Sequence, residues 1–122
     1  MGADLPSNAT VLVVEDDEHV RTLLRVALED EGYAVVTAAN GFEALTVARA
    51  HAAAVDVLVA DVVMPHMGGH ALFDELRRHN PGLEVVFISG YAESGPRCDA
   101  AFLATPFAIE ELTRTVRRLL SE

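Results

Sequence analysis

Short runs of β-branched apolar residues alternate along this chain with longer segments whose apolar residues recur at helical spacing, and that alternation leaves few architectures open. Val11-Leu12-Val13-Val14 is continuous rather than alternating. Such a run keeps no face for water and reads as a central strand covered on both sides. From Glu18, Val20, Leu23, Leu24, Ala27 and Leu28 form one stripe of an amphipathic helix that Gly32 ends. Residues 33–37 read as a second strand, and Asn40 stands three before Glu43, the spacing of a capping box that opens a helix to about residue 51. A third strand over 55–60 runs straight into Asp61, followed by a loop over 62–69 and a helix over about 70–79. Pro81-Gly82 turns the chain into a fourth strand over 84–89, Phe102 and Leu103 centre a short fifth, and Ile109, Leu112, Val116, Leu119 and Leu120 mark a last helix. The expected fold is α/β, a three-layer sandwich in which helices cover both faces of a five-stranded parallel sheet. Between strands four and five the chain has only residues 90–100, with Gly90, Gly95 and Pro96 among them. A parallel crossover usually takes about a dozen residues or more, so the fourth helix is expected to be short or absent.

Composition narrows the function. With 122 residues, 51% apolar, the chain suits one domain, expected over 10–122 behind a disordered polar tail at 1–9. The net charge of −10 is the wrong sign for a phosphate backbone, so direct nucleic-acid binding is not expected. All nine basic residues are Arg, which excludes a P-loop lysine, a Schiff base and a catalytic ammonium. A single cysteine, Cys98, allows no internal disulfide, and no apolar run approaches the roughly 20 residues that cross a bilayer. A cytoplasmic protein with no membrane partner is the expectation.

In open parallel sheets, sites lie beyond the carboxyl ends of the strands. Here those positions carry carboxylates: Glu15-Asp16-Asp17 after the first strand and Asp61 after the third, with Ser89 closing the fourth. If the first and third strands are neighbours, Glu15, Asp16 and Asp61 converge in one crevice and repel one another unless a cation intervenes. Hard oxygen donors of this kind favour Mg²⁺ or Mn²⁺. Three carboxylates would repel a phosphate lacking its metal, which argues against a nucleotide or flavin cradle. With a metal bound, Asp61 can attack a phosphoryl donor while Ser89 or the Gly90 N–H receives an oxygen. Asp17, at the start of a helix, is expected to act as its cap.

Val-Leu-Val-Val-Glu15-Asp16-Asp17, Val-Ala-Asp61-Val-Val-Met-Pro65-His-Met-Gly68-Gly69, Ile88-Ser89-Gly90-Tyr91 and Phe102-Leu-Ala-Thr105-Pro106-Phe107 stand in the order and approximate spacing of the receiver domains of bacterial two-component response regulators. The resemblance covers about residues 10–120, and in style it is closest to receivers of hybrid histidine kinases or single-domain receivers with a shortened fourth helix. It implies a flavodoxin-like sheet in the order 2-1-3-4-5, an order carried by the resemblance rather than deduced. It further implies that Asp61 accepts a phosphoryl group from the phosphohistidine of a histidine kinase or histidine phosphotransfer protein. Glu15, Asp16, Asp61 and the Val63 backbone carbonyl would then hold Mg²⁺. Ser89 resembles the switch hydroxyl, Phe102 the switch aromatic, and Thr105-Pro106 the place of a cis peptide. The activity implied is that of a phosphoprotein in a phosphorelay, a monomer or weak dimer, which promotes its own phosphorylation and dephosphorylation rather than turning over a substrate.

One position departs from the pattern. Thr105 stands where receivers carry a lysine, and its neutral hydroxyl cannot make a charge-assisted hydrogen bond, which is roughly twice as strong as a neutral one. Switching is therefore expected to be atypical, and a receiver that binds partners without phosphorylation is the alternative. Arg97 in the shortened segment is a weak candidate for the missing cation. A metal-dependent phosphatase has less support, because Val63 occupies the place of its second aspartate. Val63 and Tyr91 flank the path of an attacking water, and neither can position it as an amide or carboxylate would, so slow dephosphorylation is expected. His66 and His70, spaced four apart across Gly68-Gly69, are read as surface histidines rather than zinc ligands, His19 as an exposed helix residue, and Arg114, Arg117 and Arg118 as a solvated face.

Overall fold

The structure, a computed structural model, describes residues 9–50, 55–90 and 99–121. The elements in chain order are β1 (Thr10–Val14), α1 (Glu18–Asp30), β2 (Ala34–Ala38), α2 (Gly41–Ala50), β3 (Val55–Asp61), α3 (Gly69–His79), β4 (Glu84–Ser89), β5 (Ala101–Ala104) and α4 (Ile109–Leu120). The five strands form one sheet in the order β2-β1-β3-β4-β5, every adjacent pair parallel. Residues 1–8 and 91–98 lie outside the described residues, and with them the bulk of the expected tail and the expected stub between the last two strands. Ala9 is already tied to the sheet, its carbonyl accepting the Ala34 N–H at 3.0 Å.

Successive residues of each central strand feed opposite layers, as the period of a strand requires. Leu12, Val14, Leu58, Ala60, Val85 and Phe87 pack with Leu72 and Phe73 on the α2/α3 side. Val11, Val13, Val57, Val59, Val86 and Ile88 pack with Leu24, Leu28, Leu112 and Val116 on the α1/α4 side. Both faces of the middle of the sheet are therefore dry, which is why these strands read as unbroken apolar runs.

Element ends show how local signals set the loops. The Asp17 side chain accepts the Val20 N–H at 3.1 Å, capping α1 as expected, and Gly32 takes a positive φ of 99° just past its end. Asn40 caps α2 by accepting the Glu43 N–H at 2.8 Å, but the Glu43 carboxylate in return accepts the Ala39 N–H, one residue before the expected place. β2 begins one residue later than expected, because Tyr33 is buried in the α1/α4 layer while the sheet pairing starts at Ala34. β3 runs one residue longer, through Asp61, since the pairing with β4 continues to Asp61 opposite Ile88 and the Val62 N–H then donates to the Ile88 carbonyl at 2.9 Å.

Leu12 is fully buried at the centre of β1. Leu12→Ala is expected to lower stability by about 3 kcal/mol in urea denaturation without moving the carboxylates above it.

Candidate functional site

Two crossovers place the site. β1 pairs with β3 in parallel register, Val14 beside Ala60, so both chains leave the sheet side by side. Glu15 and Asp16 follow one strand and Asp61 ends the other, and one carboxylate oxygen from each lies within 4.8 Å of the others. Glu15 is buried, Asp61 half-buried and Asp16 exposed. The convergence expected from the sequence is therefore present.

Two of the three, Glu15 and Asp61, are held by backbone. The Glu15 N–H donates to the Ala38 carbonyl at 3.1 Å, and its carboxylate accepts the Asp17 N–H at 3.0 Å. The Asp61 carboxylate accepts the Val63 N–H at 3.0 Å. The loop after β3 folds back tightly: the Gly69 N–H donates to the Val62 carbonyl at 3.0 Å, and a Cβ at Gly69 would lie 2.5 Å from the Asp61 carbonyl oxygen. Only glycine lets α3 start that close beneath Asp61.

The electrostatics follow from packing like charges together. Burial, first, raises the Glu15 carboxyl from 4.5 to about 7; a hydrogen bond with Asp16 and the negative charges of Asp61 and Asp16 add to it, and the Asp17 N–H opposes it. Burial likewise raises Asp61, with the Asp16 charge adding, while the Val63 N–H and a hydrogen bond from Glu15 pull it back. Both shifts disfavour the fully ionised cluster, which a bound cation would favour. The donors are hard carboxylate oxygens, few and unaccompanied by nitrogen or sulfur, and this set fits Mg²⁺ or Mn²⁺ with water completing the coordination. Such a cation would displace a bound proton on binding.

The remaining expected residues that the structure describes lie on β4 and β5 and in the loops after β3, β4 and β5. Ser89, buried, closes β4 next to Asp61, and its carbonyl accepts the Thr105 N–H at 3.0 Å. Thr105 is exposed, its peptide to Pro106 is cis, and its hydroxyl lies so close over Gly90 that a Cβ there would meet it at 3.0 Å. Val63 is 60% exposed at the mouth of the site. Phe102 is half-buried against Phe87 at 5.3 Å between ring centroids. Tyr91, Arg97 and Cys98 lie outside the described residues.

The two histidines of the loop separate. His66 is exposed with a φ of 72°, beside Phe42. His70 is not the surface residue expected: it is half-buried, its ring 4.4 Å from Phe87 and 6.0 Å from Phe102. α3 begins at Gly69, and its first turn therefore points His70 at the sheet, a direction that spacing across two glycines could not show. Arg21 was also missed. Its guanidinium reaches back from α1 to donate to the Glu15 carbonyl at 2.8 Å.

Comparison with known proteins agrees with this geometry. The family described as the response regulator receiver domain matches residues 11–117. The sensor kinase CckA of Brucella abortus is 42% identical over 98% of this chain, which spans 13% of that kinase. The response regulator receiver protein CpdR of the same organism is 33% identical over 90% of this chain and 95% of its own length. The crystal structure of the receiver domain from the hybrid histidine kinase CckA superposes with a TM-score of 0.82 at 36% identity, covering 92% of this chain and 99% of that one.

In the absence of metal, the raised Glu15 pKa has a defined sign. The folded state holds a proton that the unfolded state releases, so stability is greatest below about 4.5 and is lost as pH rises to about 7. The melting temperature in EDTA is expected to fall across that window, and Glu15→Gln to flatten the fall and raise the melting temperature at pH 7.5 by a few degrees.

Proposed function

The chain belongs to the response regulator receiver domain family, and from that premise we propose that it takes a phosphoryl group from a partner's phosphohistidine onto Asp61. The observation that carries this reading is the meeting of Glu15, Asp16 and Asp61 at the ends of adjacent strands, with Ser89 closing the next strand over. In the transfer, an Asp61 carboxylate oxygen forms a P–O bond as the P–N bond to the donor imidazole breaks, and the electron pair leaves with the imidazole. Mg²⁺, when bound, offsets the charge on the phosphoryl oxygens. Glu15 and Asp16 would hold it together with Asp61 and the Val63 carbonyl. The Asp61 carboxylate attacks in its ionised form, which burial disfavours and the Val63 N–H favours. Ser89, buried at the end of β4, would offer its hydroxyl to the phosphoryl group, and the Gly90 N–H is assigned as the alternative donor.

Receiver domains work with histidine kinases or phosphotransfer proteins, and this chain is assigned a partner of that class in the cytoplasm. No helix among the described residues is long and apolar enough to cross a membrane. A net charge of −10 continues to argue against a nucleic-acid partner. Acting as a monomer or weak dimer, the chain is a phosphoprotein of a phosphorelay rather than a turnover enzyme.

Thr105 favours a second reading. A neutral, exposed hydroxyl replaces the expected ammonium, so the phosphoryl group gains a single weaker donor from that side. Weak coupling between modification and the rotamer of Phe102 is the consequence, and a receiver that binds partners without phosphorylation is the limit of that tendency.

Intact-mass measurement after incubation with acetyl phosphate separates the two. One phosphoryl group is expected with Mg²⁺, none in EDTA and none in Asp61→Asn; no gain in a chain that binds Mg²⁺ selects the phosphorylation-independent reading. Because neither Val63 nor Tyr91 brings an amide or carboxylate to position water, phospho-Asp61 is expected to persist for minutes or longer after the donor is removed. A half-life of seconds would contradict the assignment of those two positions.

A further inference from the structure

The turn after β1 carries two of the three clustered carboxylates, so whatever holds that turn sets the geometry of the site. Glu15 is tied at three points. Its N–H donates to Ala38 in β2, its carboxylate accepts the Asp17 N–H, and its carbonyl accepts the Arg21 guanidinium at 2.8 Å in a part-buried contact. The third tie differs from the other two. It comes from a side chain six residues on, and it is charge-assisted, the stronger class of hydrogen bond. Arg21 is itself anchored in the first turns of α1, its N–H donating to the Asp17 carbonyl at 2.9 Å.

The Glu15 carbonyl belongs to the peptide plane that joins Glu15 to Asp16. Fixing that oxygen fixes the rotation of the plane, and the plane's rotation sets the directions in which both neighbouring Cβ atoms leave the chain. Left without Arg21, the carbonyl is a part-buried acceptor that gains by turning toward water. The two carboxylates would turn with it and lose their convergence on Asp61.

Resting on the receiver reading above, we propose that Arg21 is a positioning residue of the cation site, which holds the Glu15–Asp16 peptide so that both carboxylates face Asp61. The charge of Arg21 acts in the opposite sense, since a guanidinium near the site repels an incoming divalent cation. Geometry and charge therefore predict opposite results for its removal, and this makes the proposal decidable by direction alone.

The experiment is Mg²⁺ titration of the full chain by calorimetry, with melting temperatures recorded for each variant. Arg21→Met is expected to weaken Mg²⁺ binding about tenfold, at the low end of what loss of an outer-shell partner costs. Arg21→Lys, which can still donate to a single carbonyl, is expected to recover most of that loss. Arg25→Met is the control: it removes the same charge one turn further along α1, where Arg25 pairs at 2.9 Å with the exposed Glu29, and it is expected to leave affinity unchanged. At saturating Mg²⁺ the rate of labelling by acetyl phosphate should return to that of the parent in every Arg21 variant. Should Arg21→Met fail to fold, Arg21→Gln carries the same expectation, its amide being two bonds too short to reach.

Unchanged or tighter Mg²⁺ binding in Arg21→Met overturns the proposal, as does an equal loss in Arg25→Met or a lack of recovery in Arg21→Lys. A parent chain that takes up no Mg²⁺ overturns the phospho-accepting reading as well, which tells the two failures apart.

Discussion

The pairing of β1 with β3 is the constraint on which everything else in this molecule depends. Two strands that are neighbours in the sheet but distant in sequence end together, and each ends in acid. The carboxylates stay close because the strands beneath them are buried on both faces, Val11, Leu12 and Val13 in one and Val57, Leu58 and Val59 in the other, all fully inaccessible. Apolar burial below outweighs charge repulsion above. Burial of Glu15 and Asp61 at the strand ends raises both carboxyls, and the neighbouring negative charges add to it.

The backbone around the cluster is arranged to the same end. Gly69 lets α3 begin against the Asp61 carbonyl, and the Val63 N–H turns inward to the Asp61 carboxylate. On the far side of the sheet end, Ser89 and Thr105 are joined through backbone, the Thr105 N–H donating to the Ser89 carbonyl. Phe102 lies against Phe87, which in turn packs at a tilt on His70 and meets Phe73 edge-on at 5.8 Å. A continuous set of rings thus leads from β5 into α3. Any rearrangement of Phe102 has to be accommodated by those rings.

Thr105 gives the site its individual character. The rest of the acidic set, the hydroxyl on β4 and the tight loop after β3 are in place, and a chain with no lysine supplies no ammonium to complete them. The positive charge found at the site instead comes from Arg21, and it is directed at a backbone carbonyl. It shapes the cluster rather than neutralising it.

Strands, helices and their order were legible in the sequence because unbroken apolar runs and helical stripes are local patterns, each enforced by the two-sided burial of its own element. The acidic residues at strand ends were legible for the same reason: they sit one residue past a run whose end is visible. The neighbour relation of β1 and β3 was not local, and came from resemblance until the sheet showed it. The inward turn of His70, the shifted partner of Glu43 and the reach of Arg21 to Glu15 depend on where a helix starts to within one residue, or on a contact across a turn. By itself the sequence determined which residues could do chemistry, since residue type and strand ends are written along the chain. Only the tertiary structure decided which of them meet, because convergence is set by the register between strands and by the rotation of single peptide planes, and neither is encoded in any one segment.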